Sequence, residues 1–229
     1  MIHLARKVLN RINAYRKISQ GVAELHGAVK RYLPKNPIVV EAGAHEGYDT
    51  FALATIWPQG KIYAFEPVPI LFKELKQRVR NKRNVGLFNV ALGEDTRLVK
   101  IYISSGDSNG SSSVLKPSGH LKLYPGVAFS ETMEVPMISL NEWSMHENIA
   151  RVDLMWLDMQ GYEINALRGA SRLLQRVSVV YTELCRSQLY DGMTTQDEYI
   201  SFLESCGFKL MAVKGDLHEE VSDGIFVRQ

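Results

Sequence analysis

The sequence is poor in features that mark several protein classes. Its two cysteines, Cys185 and Cys206, lie far apart and form no C-x-x-C pair, which argues against a disulfide framework or a zinc site. No stretch approaches the roughly 18 apolar residues that a membrane-spanning helix needs. Residues 1–12 also lack the apolar core and cleavage site of a secretory signal. These absences predict a cytoplasmic protein.

The chain also has no large excess of positive or negative charge. The chain carries 27 basic and 25 acidic residues, a formal net charge of +2, which gives no overall electrostatic argument for a nucleic-acid partner. No internal repeat or low-complexity segment is visible. With 229 residues, of which 45% are hydrophobic, the chain suits one α/β domain with an N-terminal extension better than two full domains.

The basic residues are concentrated at the N-terminus. Residues 1–36 hold eight lysines and arginines against a single acidic residue, Glu24, and their apolar residues recur mainly three or four positions apart. This pattern predicts a basic amphipathic helical extension over residues 1–36, ahead of a domain at residues 37–229. We favour a helix that packs on the domain. The alternative is a weak contact with an anionic membrane surface or an acidic substrate.

Short apolar runs alternate with helical patterns through most of the domain. The predicted strands lie at residues 38–41, 61–65, 85–90, 152–157, 177–183, 208–213 and 224–227, and the predicted helices at residues 48–57, 69–81, 163–174 and 195–206. Strands separated by helices of this length are typical of parallel βαβ units with right-handed crossovers.

The middle of the chain departs from this alternation. Residues 98–104 and 131–138 alternate between apolar and polar side chains, as half-exposed strands do. Between them, residues 106–126 are rich in serine, glycine and proline. A connection of that length inside a compact domain is usually functional or disordered. We interpret it as a loop or lid on the substrate side, with surface disorder as the alternative.

The first strand runs into a glycine-containing turn, E-A-G-A-H-E-G at residues 41–47. Gly43 lets the chain turn sharply and lets a ligand approach the backbone, while Gly47 opens a helix whose first N–H groups attract an anion. A dinucleotide site would require the spacing G-x-G-x-x-G, which is missing. The turn therefore favours a ligand with one carboxylate, such as the methionine part of S-adenosylmethionine.

A carboxylate follows the second predicted strand. Glu66, in the segment A-F-E-P at residues 64–67, comes 19 residues after Gly47. An acidic side chain at this strand end can accept the hydroxyl hydrogens of a ribose. The alternative is an acidic residue that only favours the N-terminus of the next helix. With Glu66 on the ribose, the segment at residues 89–93 would border the adenine.

Five segments in order resemble the FkbM family of methyltransferases, and the resemblance covers residues 38–228. The segments are E-A-G-A-H-E-G at residues 41–47, A-F-E-P at 64–67, A-L-G at 91–93, the serines at 111–113, and L-D-M-Q-G-Y-E at 157–163 followed by Leu167 and Gly169. The family's usual form of the last segment is K-I-D-V-E-G-x-E. Here Trp156 replaces the lysine and Gln160 replaces the first glutamate.

The resemblance implies a class I methyltransferase fold, which is a Rossmann-like, doubly wound and mostly parallel seven-stranded α/β sheet. It also implies S-adenosylmethionine as the methyl donor and O-methylation of a hydroxyl on a sugar, glycan or polyketide-like small molecule. The donor-binding residues expected from these segments are Glu41, Gly43, Ala44, His45, Gly47, Thr50, Glu66, Pro67, Ala91, Ser113 and Asp158.

The reactive edge is expected at residues 158–163, because open α/β sheets bind ligands beyond the carboxyl ends of their strands. An aliphatic hydroxyl is a weak nucleophile, so a base within hydrogen-bond reach should assist. Asp158, Glu163 and Glu183 are the candidates, with Asp158 ranked first. The alternative makes Asp158 and Glu163 the cap and the first-turn acid of a helix. No metal is expected, because no ligand beyond Asp158 and Glu183 can be named.

Two alternative functions stay open. A nucleic-acid methyltransferase could use the basic N-terminal segment as its grip, but the sequence has no Asn/Asp-Pro-Pro-aromatic segment. A donor-binding scaffold without turnover would be consistent with Gln160, which cannot act as a base. His120 and His146 could reach a substrate, although their spacing does not demand it, whereas His45 belongs to the donor turn.

Overall fold

The computed structural model describes residues 24–229, whose ten strands are divided between two sheets. The strands are β1 (Ile38–Ala42), β2 (Lys61–Phe65), β3 (Val85–Phe88), β4 (Ala91–Gly93), β5 (Arg97–Gly106), β6 (Val127–Ser139), β7 (Val152–Leu157), β8 (Val177–Cys185), β9 (Phe208–Lys214) and β10 (Val221–Arg228). The helices are α1 (Tyr48–Ile56), α2 (Pro69–Arg78), α3 (His120–Leu123), α4 (Leu140–His146), α5 (Glu163–Arg168) and α6 (Gln196–Ser205), with a 3₁₀ helix at Leu173–Arg176.

Seven strands form the central sheet in the order β3-β2-β1-β7-β8-β10-β9. The first five are parallel to one another, whereas β10 runs antiparallel between β8 and β9. The predicted mostly parallel, seven-stranded α/β sheet is therefore confirmed. The strand order reverses between β1 and β7, and sheets of this kind bind ligands at the carboxyl ends of the strands at that point.

Apolar clusters cover both faces of the central sheet, because its parallel strands are apolar on both sides. Val40 and Leu157 are buried on one face with Trp143, and Val39 is buried on the other face with Leu53. Burying a large apolar side chain contributes about 1.5–3 kcal/mol. The two clusters therefore hold in place the strand ends that carry the candidate site.

A second, three-stranded sheet has the order β4-β6-β5, with β6 parallel to β4 and antiparallel to β5. Its two long strands contain the segments predicted at residues 98–104 and 131–138. The strand predicted at residues 85–90 is wrong at its end, because the chain leaves the central sheet after Phe88 and joins the small sheet at Ala91. Side chains of the small sheet pack against α2, which brings this sheet beside the candidate site.

Helix α6 begins and ends where the sequence predicts. Thr195 and Glu198 form a capping box at its N-terminus, in which each residue satisfies a backbone N–H that the helix leaves unpaired. Gly207 follows its last turn at φ 84°, a conformation that glycine adopts without strain. Local chemistry at both ends therefore defines this helix.

The helix predicted at residues 163–174 is wrong in its second half, because α5 ends at Arg168 and the chain resumes as a 3₁₀ helix. A Cβ on the following residue, Gly169, would lie 1.9 Å from the carbonyl oxygen of Gly93. The end of α5 is thus in direct contact with β4, and the helical pattern beyond it follows a different axis. Helix α2 likewise ends at Arg78, before the predicted residue 81.

Most of the predicted N-terminal helix, residues 1–23, lies outside the described residues. Residues 24–29 are helical, and Leu25 and Val29 are buried in the cluster that contains Leu53. The ring of His26 lies 5.5 Å from that of Trp57. The last part of the extension therefore packs on the domain.

Candidate active site

The turn between β1 and α1 lies at the reversal point of the central sheet. Gly43 has φ 82°, a conformation that strains residues with a side chain. A Cβ on Gly43 would lie 1.7 Å from the carbonyl oxygen of Asp158, and the amide of Asp158 donates to the carbonyl of Ala42 at 3.0 Å. Glycine at this position therefore lets the ends of β1 and β7 meet, which places Asp158 beside the turn.

Several amides of this turn already donate within the chain. Those of Gly43 and Ala44 donate to the carbonyl of Phe65 at 3.0 and 2.9 Å, and that of Gly47 donates to the carbonyl of Ala44 at 2.8 Å. A helix leaves the N–H groups of its first turn without internal partners. An anionic group at this site would thus be held by the first turn of α1, to which Gly47 is the N-cap.

Glu66 follows β2 and is 4% exposed. Its Oε2 accepts a hydrogen bond from the amide of His45 and its Oε1 accepts one from the amide of Val68, both at 2.8 Å. Burial raises the pKa of Glu66 to about 7, although both hydrogen bonds oppose the rise. Glu66 therefore ties the glycine turn to the start of α2. Because a carboxylate offers about four lone-pair sites, it keeps acceptor capacity for ribose hydroxyls.

These strand ends line a pocket of about 330 Å³, which we call the donor pocket. Its volume falls within the range of roughly 300–1,000 Å³ that is usual for small-molecule sites. Apolar side chains line part of it, including Phe65, Val68, Leu71, Leu92 and Ile101. Polar side chains line another part, including Asp49, Glu66, Ser113, Asp158 and Gln160. The pocket therefore suits a ligand with an apolar ring system and a charged or polar end.

Most of the predicted donor-binding residues line this pocket: Gly43, Ala44, His45, Glu66, Pro67, Ala91, Ser113 and Asp158. The remaining three, Glu41, Gly47 and Thr50, are buried and do not line it. Glu41 Oε2 and Thr50 Oγ1 have no hydrogen-bond partner among the described residues. Burial raises the pKa of Glu41 well above its usual range, and nearby Asp49 adds to the rise.

Asp158 follows β7, and its exposed surface opens into the donor pocket. The Nε2 of Gln160 donates a hydrogen bond to its Oδ1 at 2.8 Å. Dense protein surroundings raise the pKa of Asp158, whereas the hydrogen bond from Gln160 lowers it and the charge of Asp223 raises it further. Gln160 therefore orients the Asp158 carboxylate and favours its ionised form.

Gln160 has an unusual backbone conformation and further hydrogen-bond partners besides Asp158. Its backbone has φ 54°, and strained conformations of this kind cluster at functional sites. Its carbonyl accepts a hydrogen bond from Ser113 Oγ at 2.8 Å. The hydroxyl of Tyr190 lies 3.1 Å from Gln160 Oε1 and 2.8 Å from the carbonyl of Ser111, so its single proton is shared. The glutamine that replaces the family's glutamate at residue 160 is therefore part of a hydrogen-bond network.

The loop at residues 106–126 forms a wall of the donor pocket. Asn109, Gly110, Ser112, Ser113 and Val114 line the pocket. The backbone of Ser113 pairs with that of Tyr102 in β5 as an antiparallel bridge, with N···O distances of 2.8 and 3.1 Å. The small sheet therefore anchors this wall against the pocket.

Side-chain contacts also join this loop to the glycine turn. His45 Nε2 lies 3.0 Å from Asn109 Oδ1, and Asn109 Nδ2 donates to Glu46 Oε1 at 3.2 Å. Arg78 in turn contacts Glu46, with its Nε 2.6 Å from the carbonyl oxygen and its NH2 group 3.3 Å from Oε2. We call His45, Glu46, Arg78 and Asn109 the loop latch, because they connect the loop to the turn and to α2.

Glu163 and Glu183, the other two candidate bases, do not line the donor pocket. The Oε1 of Glu163 accepts hydrogen bonds from the amides of Met159 at 2.7 Å and Gly161 at 3.3 Å. Burial raises the pKa of Glu163 to about 7, against the effect of these bonds. Glu183 lines a neighbouring cavity. Of the three candidates, Asp158 is the one that reaches the donor pocket.

Asp49 lines the donor pocket from the first turn of α1, and the sequence analysis did not single it out. Burial raises its pKa to about 7, the charge of Asp158 adds to the rise, and Lys214 opposes it. Its position two residues after Gly47 was the available signal. The same position suits an ordinary first-turn acid, so the sequence could not show that Asp49 faces the pocket.

Two features are absent from residues 24–229. No three or more histidine, cysteine, aspartate or glutamate side chains are grouped so that they could hold a metal ion. No helix in this range combines the length and the apolar character required to cross a membrane.

Comparison with known proteins gives a family match over most of the chain. A family model described as the Methyltransferase FkbM domain matches residues 41–210. The chain is 26% identical over 205 residues to the 2-O-methyltransferase NoeI of Sinorhizobium fredii, covering 85% of this chain and 84% of that protein. It is 27% identical over 196 residues to Methyltransferase 1 of Beauveria bassiana, covering 80% and 76% respectively.

A solved structure shows the same fold. Magnesium protoporphyrin IX methyltransferase ChlM from Synechocystis PCC 6803, with bound S-adenosylmethionine, is similar with a TM-score of 0.55 at 12% identity, covering 96% of this chain and 81% of that one. The sheet is thus that of a class I methyltransferase. Because the matched family segment contains the glycine turn, Glu66 and Asp158, the chain belongs to the FkbM family of S-adenosylmethionine-dependent methyltransferases.

Proposed function

We propose that this methyltransferase acts on a hydroxyl oxygen of a sugar, glycan or polyketide-like small molecule. The observation that carries the proposal is the Asp158 carboxylate, which opens into the donor pocket and is oriented by Gln160. A carboxylate in that position can take the proton that an alcohol loses when it is methylated. A further support is the name of one relative, the 2-O-methyltransferase NoeI.

The residues of the donor pocket fit S-adenosylmethionine. Its apolar wall suits a purine ring, and Glu66, which keeps acceptor capacity, suits ribose hydroxyls. The first turn of α1 suits the carboxylate of the methionine part. Asp49 supplies a negative charge for the cationic groups at the same end. Glu41, Gly47 and Thr50 act from behind the pocket, where they support the turn.

When bound, the donor supplies a methyl group on a positively charged sulfur, which is a good leaving group for in-line displacement. The chain must align the acceptor oxygen and accept its proton. Alignment can contribute about 7–11 kcal/mol, and a positioned base contributes about 10²–10⁴-fold. We assign the proton to Asp158, which takes it as the acceptor oxygen acquires the methyl group.

The other two candidate bases have different roles in this proposal. Glu163 accepts backbone hydrogen bonds from residues 159 and 161, so it positions the segment that carries Asp158 and Gln160. Glu183 lies on the far side of Gln160 from the donor pocket, in the neighbouring cavity. We therefore place Glu183 on the acceptor side.

The two alternative functions find less support. A nucleic-acid acceptor would bring phosphates toward Asp49, Asp158 and Glu183, whose carboxylates repel them. A scaffold without turnover was suggested by Gln160. Gln160 donates a hydrogen bond to Asp158, which supports a base at residue 158 that Gln160 assists.

Replacing Asp158 by asparagine tests the proposal. Asp158→Asn should lower kcat by about 10²–10⁴-fold, because the proton acceptor is lost, while donor affinity falls by less than about tenfold. Donor affinity is measured by calorimetry, and turnover with isotopically labelled donor against glycosides, polyketide lactones and an RNA oligonucleotide. Asp95→Asn, an exposed carboxylate paired with Arg97, is the control. Full turnover by Asp158→Asn, or methylation of RNA alone, would show the proposal to be wrong.

We also propose a cytoplasmic location, which the two free cysteines, Cys185 and Cys206, support. The basic residues 1–36 would make at most a weak, salt-sensitive contact with anionic membranes. Sedimentation with phosphatidylserine vesicles at low and physiological salt measures this contact. Salt-independent binding would contradict an electrostatic origin.

A further inference from the structure

A second cavity adjoins the donor pocket. Its volume is about 260 Å³, and Gly110 and Gln160 line both spaces. At about 30 Å³ per water molecule, this is room for roughly nine waters. That space suits one six-membered sugar ring. A group held there would meet the donor pocket at Gln160, the partner of Asp158.

The polar groups of this cavity are hydroxyls, an imidazole and a carboxyl group, from Ser108, Ser111, His120, Tyr124 and Glu183. Burial lowers the pKa of His120. Burial raises the pKa of Glu183 well above its usual range, with nearby carboxylates adding to the rise. In their neutral forms, all five side chains can both donate and accept hydrogen bonds. They match the hydroxyl groups of a polyol, which also do both.

The remaining lining of the cavity is apolar or neutral. Val127, Leu189 and Val221 supply aliphatic surface, and no lysine or arginine is among the described residues that line it. A phosphate or carboxylate would therefore find no opposite charge, and it would lie beside the carboxyl group of Glu183. A neutral ring with C–H and O–H groups satisfies both kinds of surface.

His120 is the most tightly fixed of these polar residues. It is 2% exposed, and its ring lies 4.9 Å from that of Tyr124, 5.2 Å from that of Phe129 and 5.5 Å from that of Tyr190. Its Nδ1 has no hydrogen-bond partner among the described residues. Buried polar atoms are almost always hydrogen-bonded. His120 also lines the cavity, so its ring is a fixed polar group in the wall of this space.

We infer that this space is an acceptor cavity that holds a neutral sugar ring, with His120 and Glu183 bonded to its hydroxyl groups and one hydroxyl directed past Gln160 toward Asp158. This inference rests on the proposed function and narrows it to one substrate class. It makes His120 and Glu183 residues that determine acceptor specificity, and it leaves the base at Asp158.

Direct binding is the first test, with the protein saturated by S-adenosylhomocysteine. The probes are the methyl α-D-pyranosides of glucose, galactose and mannose, together with glucose 1-phosphate, followed by saturation-transfer NMR. We expect at least one neutral glycoside to bind and the phosphate not to bind. Val127→Phe, which fills the cavity, should abolish glycoside binding. Leu121→Phe, at an exposed position of α3 (44% exposed), should leave it unchanged.

Kinetics give the second test, and they do not depend on the folding of Val127→Phe. With the best glycoside as acceptor, His120→Phe and Glu183→Leu should each raise KM by roughly tenfold, since each removes the hydrogen-bonding groups that face a hydroxyl of the substrate. The donor dissociation constant, measured by calorimetry, should stay the same. His146→Gln, at an exposed histidine outside the cavity, should behave like the unmodified enzyme.

The outcomes separate the inference from the proposed function. Methylation of a glycoside with unchanged KM in both His120→Phe and Glu183→Leu would overturn the acceptor cavity and leave hydroxyl methylation standing. Methylation of a non-sugar alcohol, with no glycoside bound, would overturn the sugar class alone. Failure to methylate any hydroxyl compound, despite donor binding, would remove the proposed function and the inference with it.

Discussion

Three carboxylates near the glycine turn have different hydrogen-bond partners, and the roles proposed for them differ accordingly. Glu66 accepts two backbone amides beside the donor pocket, Glu163 accepts two amides behind it, and Asp158 accepts a side-chain amide inside it. The sequence indicated all three, because acids at strand ends and helix starts are visible in its pattern. It could not separate their roles, since each role depends on which amide lies within 3 Å or so of each oxygen.

Gln160→Glu tests whether Asp158 acts as the base. The change replaces a hydrogen-bond donor by a carboxyl group at a contact of 2.8 Å, and a like charge so close raises the pKa of the pair by about one unit or more. The acid limb of the kcat profile should therefore move to higher pH, because the base must be ionised. Activity at high pH should largely remain. The profile is measured between pH 5 and 9.

Gln188→Glu is the matched control for this change. Gln188 is exposed and donates to the carbonyl of Met193, away from the donor pocket. The substitution Gln188→Glu introduces the same net charge as Gln160→Glu and should leave the pH profile of kcat unchanged. An acid limb that stays unmoved in Gln160→Glu would mean that a group other than Asp158 accepts the proton.

Glu163→Gln tests the positioning role of Glu163 through stability. The pKa of Glu163 is raised from an ordinary 4.5 to about 7, so the folded state binds more protons than the unfolded state between these values. The free energy of unfolding therefore falls as pH rises from about 4.5 to 7, by on the order of 3 kcal/mol. Glutamine keeps Oε1 as the acceptor for both amides and does not ionise, so this loss should be missing from the variant.

Urea unfolding at pH 5 and pH 8 measures the difference. The free energy of unfolding of Glu163→Gln, minus that of the unmodified protein, should be larger at pH 8 than at pH 5. The variant should nearly retain its turnover. Glu163→Ala removes the acceptor of two buried amides and should be less stable at both pH values. Loss of turnover in a stable Glu163→Gln variant would instead indicate direct participation in catalysis.

At the scale of secondary structure, short sequence patterns correctly predicted those helices and strands whose ends are set by neighbouring residues. Helix α6 has its capping box and terminal glycine in the sequence, and β1 has its apolar run followed by Gly43. The pairing of strands in the small sheet could not be predicted from such patterns. Its two long strands were recognised by their alternation, but the pairing of β4 with β6 joins residues 91–93 to residues 137–139, and no local pattern encodes that contact. The end of α5 was predicted wrongly for the same reason, because it is set by a contact between Gly169 and Gly93, which are far apart in the sequence.

The loop at residues 106–126 should control how long the donor stays bound. Asn109 is the residue of the loop latch that belongs to the loop, and it contacts both His45 and Glu46. Asn109→Ala removes these exposed contacts, each of which contributes about 0.5–1.5 kcal/mol. The donor dissociation rate, measured by stopped-flow fluorescence, should rise by roughly 3–10-fold.

The thermal midpoint of Asn109→Ala should change little, since Asn109 is exposed and outside the core. Asn141→Ala is not a suitable control, because that residue contacts two backbone amides elsewhere. Ser105→Ala, at an exposed position of β5 beside the same loop, is suitable. An unchanged dissociation rate in Asn109→Ala would show that the latch does not restrain the loop.

Across the whole molecule, carboxyl groups are concentrated at one edge of the central sheet while the net charge of the chain is only +2. Burial raises the pKa of Glu66 and of Asp49 to about 7 in each case, and the pKa values of Asp158 and Glu183 are raised as well. The site is therefore partly protonated at neutral pH. Its full negative charge develops only when something positive offsets the cost of burying that charge.

The donor supplies that positive charge, since its sulfonium and ammonium groups outnumber its carboxylate. Binding should lower the pKa values of Glu66 and Asp49 and thus release protons. Near pH 7, where each is about half protonated, we expect release of roughly a half to one proton for each donor bound, and a donor dissociation constant that falls as pH rises from 6 to 8. Calorimetry in two buffers with different ionisation enthalpies measures the release, which Asp49→Asn should reduce. Proton uptake, or affinity independent of pH, would mean that Asp49 does not face the cationic end of the donor and that Glu66 does not become ionised on the ribose hydroxyls.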